Sequence, residues 1–223
     1  MIRQAYHQVK ATYRRYTRSR VFYNIYKKNL WSDPESLSGG GSSAAATEKI
    51  RGALPDLLLT LGVRSIVDAP CGDFHWMKEL RIPELLDRYY GIDIVPQIIK
   101  SNQDSYTSDK LQFKVLDLVR EIVPRADLVL CRHLLIHLPL RDCLRVLRNF
   151  KKSGARYLLI TTQPEIQANE EILFTGGFRP LNLEIAPFHF PHRRIALDDA
   201  QTDRDSAELA LYELQDIVVG TDR

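Results

Sequence analysis

Acidic side chains stand at the ends of three apolar segments of the sequence. Asp68 lies near the end of the first, Asp93 ends the second, and Asp117 follows the third. An isolated acid in such a place is more often a helix cap, but three in succession are harder to explain in that way. Asp93 follows Asp68 at close to the roughly 20-residue offset of a ribose-binding carboxylate. Asp117 is placed to accept a hydrogen bond from an exocyclic amine such as that of adenine.

The turn after the first segment, DAPCGDFHWM, favours a zwitterionic ligand over a phosphate-bearing one. Gly72 permits a close backbone approach to a ligand, and Asp68 supplies an acceptor for a cationic amine. A dinucleotide site needs the G-x-G-x-x-G spacing that lays a pyrophosphate on a helix N-terminus, and that spacing is absent here.

Histidines follow the fourth apolar segment, where a reacting molecule would meet a cofactor. Histidine is the side chain best suited to take a proton near neutral pH, so we predict His133 as a general base and His137 as the second candidate. The alternative for each is a structural role in the core or at a helix cap. Arg132 either binds an anionic substrate or pairs with an acid. His189 and His192 would complete a metal site only by converging on the first two, and we predict no metal.

The elements that position these residues alternate between strands and helices. This order predicts a doubly wound, mostly parallel α/β sheet with helices on both faces, whose ligands bind at the carboxyl ends of the strands. The predicted strands are 65–69, 89–93, 111–116, 126–131 and 156–162, the predicted crossover helices include 95–106 and 139–152, and a final antiparallel strand lies in 208–219. We expect the acids of 198–205 to form a solvated loop, and 175–180 with 187–191 to close over the substrate side.

The first 32 residues carry eight basic side chains and no acid, which leaves 23 basic against 28 acidic residues in the rest, a net −5. Periodicity predicts a basic amphipathic helix over 1–30, with Arg20, Tyr23, Lys27 and Leu30 on its packing stripe, followed by a Gly/Ser loop over 31–43. The main domain then spans 44–223, beginning with a helix over 44–61 that breaks at Pro55. The N-terminal helix either docks on the domain or contacts an anionic membrane, a glycan or a nucleic acid. Its composition is also shared by organellar transit peptides.

Composition sets the class of protein. The chain has 223 residues, 44% of them hydrophobic and 26% charged, with three cysteines. No apolar run approaches the roughly 18 residues of a membrane-spanning helix, and an odd cysteine count argues against a disulfide framework. We therefore expect one soluble domain with reduced thiols in the cytoplasm, with peripheral membrane association as an alternative.

The motifs together resemble the class I S-adenosylmethionine-dependent methyltransferases over 35–217, with a seven-stranded Rossmann-like sheet. The resemblance is carried by SLSGGGS, DAPCGDFHWM, GIDIVP, ADLVLCRHLLIHL and TGGFRPLNLEIAPFHFP, and is closest to a bacterial-type branch that shares the Pro-Cys-Gly-Asp turn. Pro70 and Phe74 stand where glycines are common in the superfamily. The resemblance implies S-adenosylmethionine as cofactor, held by Asp68, Pro70 and Gly72 at the methionine part, Asp93 and Ile94 at ribose, Asp117 and Leu118 at adenine, with Gly40 and Cys131 nearby.

The resemblance implies methyl transfer to an oxygen of a small molecule or glycan. A nucleic-acid methyltransferase is the alternative, suggested by the basic N-terminal region, although the N/D-P-P-Y/F tetrad of N-methylating enzymes is missing after the fourth strand. A nonenzymatic adenosyl-binding module is a third possibility, and it would need no base.

Overall fold

The computed structural model describes residues 17–202 and 206–220, and in them seven strands form one sheet. The order across the sheet is β3-β2-β1-β4-β5-β7-β6, with β1 to β5 parallel and β7 antiparallel to both of its neighbours. The strands are β1 Ser65–Asp68, β2 Arg88–Asp93, β3 Leu111–Val115, β4 Leu128–Cys131, β5 Tyr157–Thr162, β6 Ile195–Asp198 and β7 Glu208–Glu213. The predicted α/β fold with a mostly parallel seven-stranded sheet is confirmed.

Helices cover both faces of this sheet. They are α1 over 17–27, α2 Glu48–Leu61, α3 Ile82–Leu85, α4 Pro96–Tyr106 and α5 Leu140–Lys152. Every residue of β4 and β5 is buried, as expected of central parallel strands covered on both sides. Alternate residues enter two apolar cores: Val129 packs with Phe150 of α5 on one face, and Leu128 packs with Leu54 of α2 on the other.

Two local expectations were wrong. Helix α2 continues through Pro55, because Ile50, Leu54 and Leu58 on either side are buried in the core, and this packing outweighs the roughly 3 kcal/mol cost of an internal proline. Residues 198–202 are not simply a solvated loop: Asp198 ends β6, a strand that the sequence did not indicate, and Asp199 is buried behind it.

Helix α1 presents a different face to the domain from the predicted stripe. Residues 1–16 of the predicted helix lie outside the described residues. Within 17–27, Arg18 and Ile25 are buried and Phe22 packs on the core, whereas Arg20 and Lys27 are exposed. The reason is electrostatic as well as apolar, since Arg18 meets two buried carboxylates. No helix in the described part of the chain is both long and apolar enough to span a membrane.

Candidate active site

A cavity of about 530 Å³ opens at the carboxyl ends of the parallel strands. It lies where a doubly wound sheet binds its ligands, between the turns after β1, β2 and β4 and beneath helix α1. Its lining includes most of the residues proposed from the sequence as cofactor-binding, namely Gly40, Asp68, Pro70, Gly72, Asp93, Ile94, Asp117 and Leu118, and also Arg132, His133 and His137. Cys131 lies elsewhere, buried in the core below the cavity.

Asp68 and Asp93 end adjacent strands, and both carboxyl groups are buried. The Tyr89 hydroxyl donates to Asp68 Oδ2 at 2.6 Å, while the backbone N–H groups of Val95 and Gly72 donate to Asp93 at 2.9 and 3.2 Å. Burial raises the pKa of Asp68 to about 7 and that of Asp93 to about 6, although these hydrogen bonds oppose the rise. Two acceptors with little solvation thus face one end of the cavity.

The Gly/Ser loop is fixed to the turn after β1 through Asp73. Its carboxylate accepts hydrogen bonds from the hydroxyls of Ser36 and Ser38, each at 3.0 Å, and Ser38 in turn accepts from the Asp73 backbone N–H. A Cβ on Gly72 would lie 2.2 Å from Ser38 Oγ, and Gly72 has a φ of 54°, so only glycine fits there. The contact brings Gly40 to the cavity, a role for Asp73 that the sequence did not suggest.

Asp117 is engaged by helix α1. Arg18 binds its carboxylate with Nε at 3.3 Å and Nη2 at 2.7 Å, and a second Arg18 nitrogen reaches Asp142 of α5 at 3.2 Å. We name Arg18, Asp117 and Asp142 the α1 anchor. Because the Asp117 side chain is only 1% exposed, an adenine amine would have to share this carboxylate with Arg18 or displace it. The anchor also holds Phe22 and Tyr26 over the cavity.

Directly after β4, His133 also lines the cavity and belongs to a second buried ionic cluster. Its Nε2 lies 3.2 Å from Asp199 Oδ2, and Arg132 grips the same carboxylate with Nε at 3.0 Å and Nη2 at 2.6 Å. We name Arg132, Asp199 and His133 the His133 array. Of the two roles proposed for Arg132, it adopts the pairing with an acid.

The backbone of His133 is in an unusual conformation, and its ring lines the cavity beside the Gly/Ser loop. Its φ of 54° is rarely adopted by residues other than glycine, and its N–H donates to Thr161 Oγ1 at 2.9 Å. With Nε2 donating to Asp199, Nδ1 carries the lone pair. A Cβ on Gly41 would lie 2.9 Å from this Nδ1, so a side chain at position 41 would clash with the His133 ring.

Asp199 is the residue that sequence reasoning missed. Burial alone would raise its pKa, but hydrogen bonding to His133 and the charge of Arg132 outweigh burial and hold the pKa below its usual value. The carboxylate is therefore a stable anion against the imidazole. In the sequence, Asp199 is the second of two adjacent aspartates. Its neighbour Asp198 is exposed and pairs with Lys49, so the sequence does not show that only Asp199 is buried.

His137, the second predicted base, is held by other contacts. Its Nδ1 lies 2.7 Å from the carbonyl oxygen of Gly177, and its ring stacks on Trp31 at 5.2 Å between centroids. Burial lowers the pKa of His137 to about 4, so the ring is neutral near pH 7. These contacts describe a packed, uncharged ring rather than a histidine exposed to a substrate proton.

The two loops expected over the substrate side behave differently. Phe178 of 175–180 lines the cavity, whereas Phe188 and Phe190 of 187–191 are buried in the core and do not line it. His189 is exposed, and His192 pairs with Glu184 at 3.1 Å. Among residues 17–202 and 206–220, no group of three or more His, Cys, Asp or Glu side chains is arranged to hold a metal ion.

The fold is that of the class I S-adenosylmethionine-dependent methyltransferases. Magnesium protoporphyrin IX methyltransferase from Synechocystis PCC 6803, solved with S-adenosylhomocysteine, is similar with a TM-score of 0.56 and 14% identity over 91% of this chain and 98% of that one. The N-methyltransferase NodS from Bradyrhizobium japonicum WM9, also solved with S-adenosylhomocysteine, is similar with a TM-score of 0.51 and 14% identity over 65% of this chain and 74% of that one. Human N-acetylserotonin methyltransferase, solved with S-adenosylmethionine, is similar with a TM-score of 0.50 and 14% identity over 74% of this chain and 54% of that one.

No model of a protein family matches the sequence, and no curated protein sequence matches it. At identities this low, the structural likeness establishes the fold, and the chemistry has to be argued from the cavity.

Proposed function

We propose that this protein transfers a methyl group from S-adenosylmethionine to a hydroxyl oxygen of a small molecule or glycan. The observation that carries the proposal is the His133 array, which opens onto the same cavity as the strand-end acids Asp68 and Asp93. One end of the cavity thus suits the cofactor, and the other presents a base.

The residues present suit S-adenosylmethionine. Asp93 offers carboxylate oxygens to vicinal ribose hydroxyls, and Asp68 offers an anion to the cationic amine of the methionine part. Leu118 supplies an apolar contact beside the α1 anchor, where adenine would lie, and Ile94 lies beside Asp93, where ribose would lie. Neighbouring folds solved with this cofactor or its product support the same assignment.

The cofactor supplies an activated methyl group on a sulfonium, so the protein must mainly align the acceptor and remove a proton. His133 would take the hydroxyl proton at Nδ1, and bound S-adenosylmethionine would supply the methyl group and leave as S-adenosylhomocysteine. Asp199 holds the ring by Nε2 and stabilises the imidazolium that results. A nonenzymatic adenosyl-binding module would not need this arrangement.

Nucleic acid is the weaker alternative as acceptor. The idea rested on the basic N-terminal region, and one of its arginines, Arg18, is buried in the α1 anchor and is not presented to a partner. Contact of residues 1–28 with nucleic acid or an anionic membrane therefore remains a proposal separate from the catalytic site.

Turnover to S-adenosylhomocysteine with a panel of small-molecule, glycan and RNA acceptors tests the proposed reaction. For the cofactor, we expect Asp93→Ala to weaken S-adenosylmethionine binding by about 2 to 4 kcal/mol in calorimetry, because two ribose hydroxyls lose a charged acceptor in a desolvated cleft. Asp56→Ala, at an exposed position of α2, is the control and should bind as the unmodified chain does. Equal affinity in the Asp93 variant would remove this residue from the site.

A further inference from the structure

Aromatic rings form the side of the cavity next to the His133 array. Trp31 stacks on His137 with 5.2 Å between centroids and 28° between planes, and Phe178 lies 6.0 Å from the same imidazole at 52°. All three residues line the cavity. We name Trp31, His137 and Phe178 the ring cluster.

The ring cluster carries no charge near neutral pH. Burial lowers the pKa of His137 to about 4, and the contact of its Nδ1 with the Gly177 carbonyl oxygen, an acceptor only, places the proton on that nitrogen. A neutral imidazole packed against Trp31 and Phe178 therefore adds no charge to this aromatic part of the cavity wall.

The surroundings of the ring cluster are apolar, and the charged groups near it are already paired. Other lining residues with apolar or aromatic side chains are Phe22, Tyr26, Leu37, Ile136 and Leu138. Both arginines of the lining, Arg18 and Arg132, are bound to buried aspartates. Two polar neighbours also have partners within the chain, since Gln163 accepts from the Leu181 N–H and Gln201 donates to the Asp199 carbonyl.

These features bear on the acceptor. A sugar stacked on the ring cluster would turn hydroxyl groups toward ring faces that cannot pair with them, and each buried hydroxyl without a partner weakens binding about 5- to 100-fold. A carboxylate or phosphate would find no unpaired cation among the described lining residues. A flat apolar molecule with one hydroxyl group needs neither several hydrogen-bond partners nor a cation in the cavity wall.

We propose that the acceptor is an uncharged molecule whose hydroxyl is carried by an aromatic ring, and that this ring stacks on the ring cluster with its hydroxyl directed to His133. The inference rests on the proposed function and narrows it from small molecules and glycans to neutral phenol-type acceptors. It assigns Trp31 and Phe178 to acceptor specificity.

Direct binding separates this inference from the proposed reaction. Equilibrium dialysis of the full chain with saturating S-adenosylhomocysteine would compare four probes: 2-naphthol, its saturated counterpart decahydro-2-naphthol, the charged 6-hydroxy-2-naphthoate, and methyl glucoside. We expect 2-naphthol to bind at least 5-fold more tightly than each of the others. Equal or tighter binding of any of the other three would overturn the aromatic, uncharged or non-glycan part of the proposal, respectively, and absence of 2-naphthol binding would overturn it entirely.

A matched pair of variants in one loop locates the site. Phe178 and Phe174 are similarly exposed, at 65% and 68%, but only Phe178 lines the cavity. We expect Phe178→Ala to weaken 2-naphthol binding about 5- to 20-fold, Phe178→Tyr to restore it, and Phe174→Ala to leave it unchanged. Equal effects of the two alanine variants would contradict a role of the ring cluster. If 2-naphthol binds as expected but is not methylated, the proposed reaction fails while the ring-binding site stands.

Discussion

The two ends of the cavity are held by clusters of similar construction and different consequence. The α1 anchor and the His133 array each contain a buried arginine that grips one aspartate with two nitrogens. In the anchor the third member is another carboxylate, Asp142, so the cluster can only hold elements together. In the array the third member is an imidazole that lines the cavity, so the same kind of ion pair orients the ring that we propose as the base.

The same arginine–aspartate interaction thus attaches helix α1 over the cavity in one cluster and positions a histidine in the other. A bidentate arginine fixes a carboxylate in position and keeps it charged when buried. When the remaining carboxylate oxygen faces a histidine, it orients a ring nitrogen. When the remaining guanidinium nitrogen binds a second acid, as in the α1 anchor, the arginine attaches its own helix to the domain beside the cavity. Two predictions test whether the clusters differ in this way, and a third tests whether His137 differs from His133.

The largest expected effect is on stability. Arg132→Leu leaves Asp199 buried without its cation inside the sheet domain, and we expect the global free energy of unfolding to fall by about 3 to 5 kcal/mol. Arg18→Leu allows α1 to separate so that water reaches Asp117 and Asp142. Its global loss should then be smaller, with faster amide exchange confined to 17–27.

Denaturant unfolding and hydrogen exchange measured on both variants would decide this comparison. Equal global losses with unchanged exchange in 17–27 would mean that the α1 anchor belongs to the core in the same way as the His133 array.

The next effect is on rate. Asp199→Asn keeps the shape of the side chain but removes the anion beside His133, so we expect kcat to fall about 10²-fold with little change in cofactor affinity. The acidic limb of the pH profile should also move to lower pH, because the imidazolium loses its counter-ion. Asp198→Asn, next along the chain and exposed, is the control. Loss of stability with an unaltered pH profile would leave Asp199 a purely structural residue.

The smallest effect separates His137 from His133. The folded protein keeps His137 neutral down to its pKa of about 4, whereas the unfolded chain protonates it below its ordinary value of 6.5. The folded state therefore loses stability as pH falls from about 6.5 to about 4, by at most about 1.4 kcal/mol per pH unit. His137→Phe cannot titrate and should lose less over this range.

Unfolding free energies of the unmodified chain and of His137→Phe at pH 7.5, 6.5 and 5.5 would measure the difference. The raised pKa values of Asp68 and Asp93 act in the opposite direction, favouring the folded state as pH falls, but they are common to both proteins and cancel in the comparison. A difference that does not change with pH would show that His137 titrates freely.

The site residues that the sequence predicted are those that lie at or just after the end of a single predicted strand. Asp68, Asp93 and His133 follow apolar segments at the edge where any parallel sheet binds its ligands, so the pattern alone placed them in the cavity. The fold class followed from the same alternation of strands and helices.

The missed residues depend on contacts between distant segments. Arg18 meets Asp117 across 99 positions, and Arg132 meets Asp199 across 67. The polar composition of 198–205 predicts a solvated loop, because the sequence does not show that Arg132 pairs with Asp199 and buries it. The proline in α2 was misjudged for a related reason, since the core contacts on both sides of Pro55 decide its helical state.

The most direct test of the central claim is the rate of methyl transfer in His133→Ala, measured beside calorimetry of S-adenosylmethionine binding. We expect kcat to fall by about 10² to 10⁴ while cofactor affinity stays nearly the same, and His137→Ala to lose melting temperature more than rate. Turnover retained in His133→Ala and abolished in a well-folded His137→Ala would exchange the two assignments. Full activity in both variants would contradict the account of a histidine base.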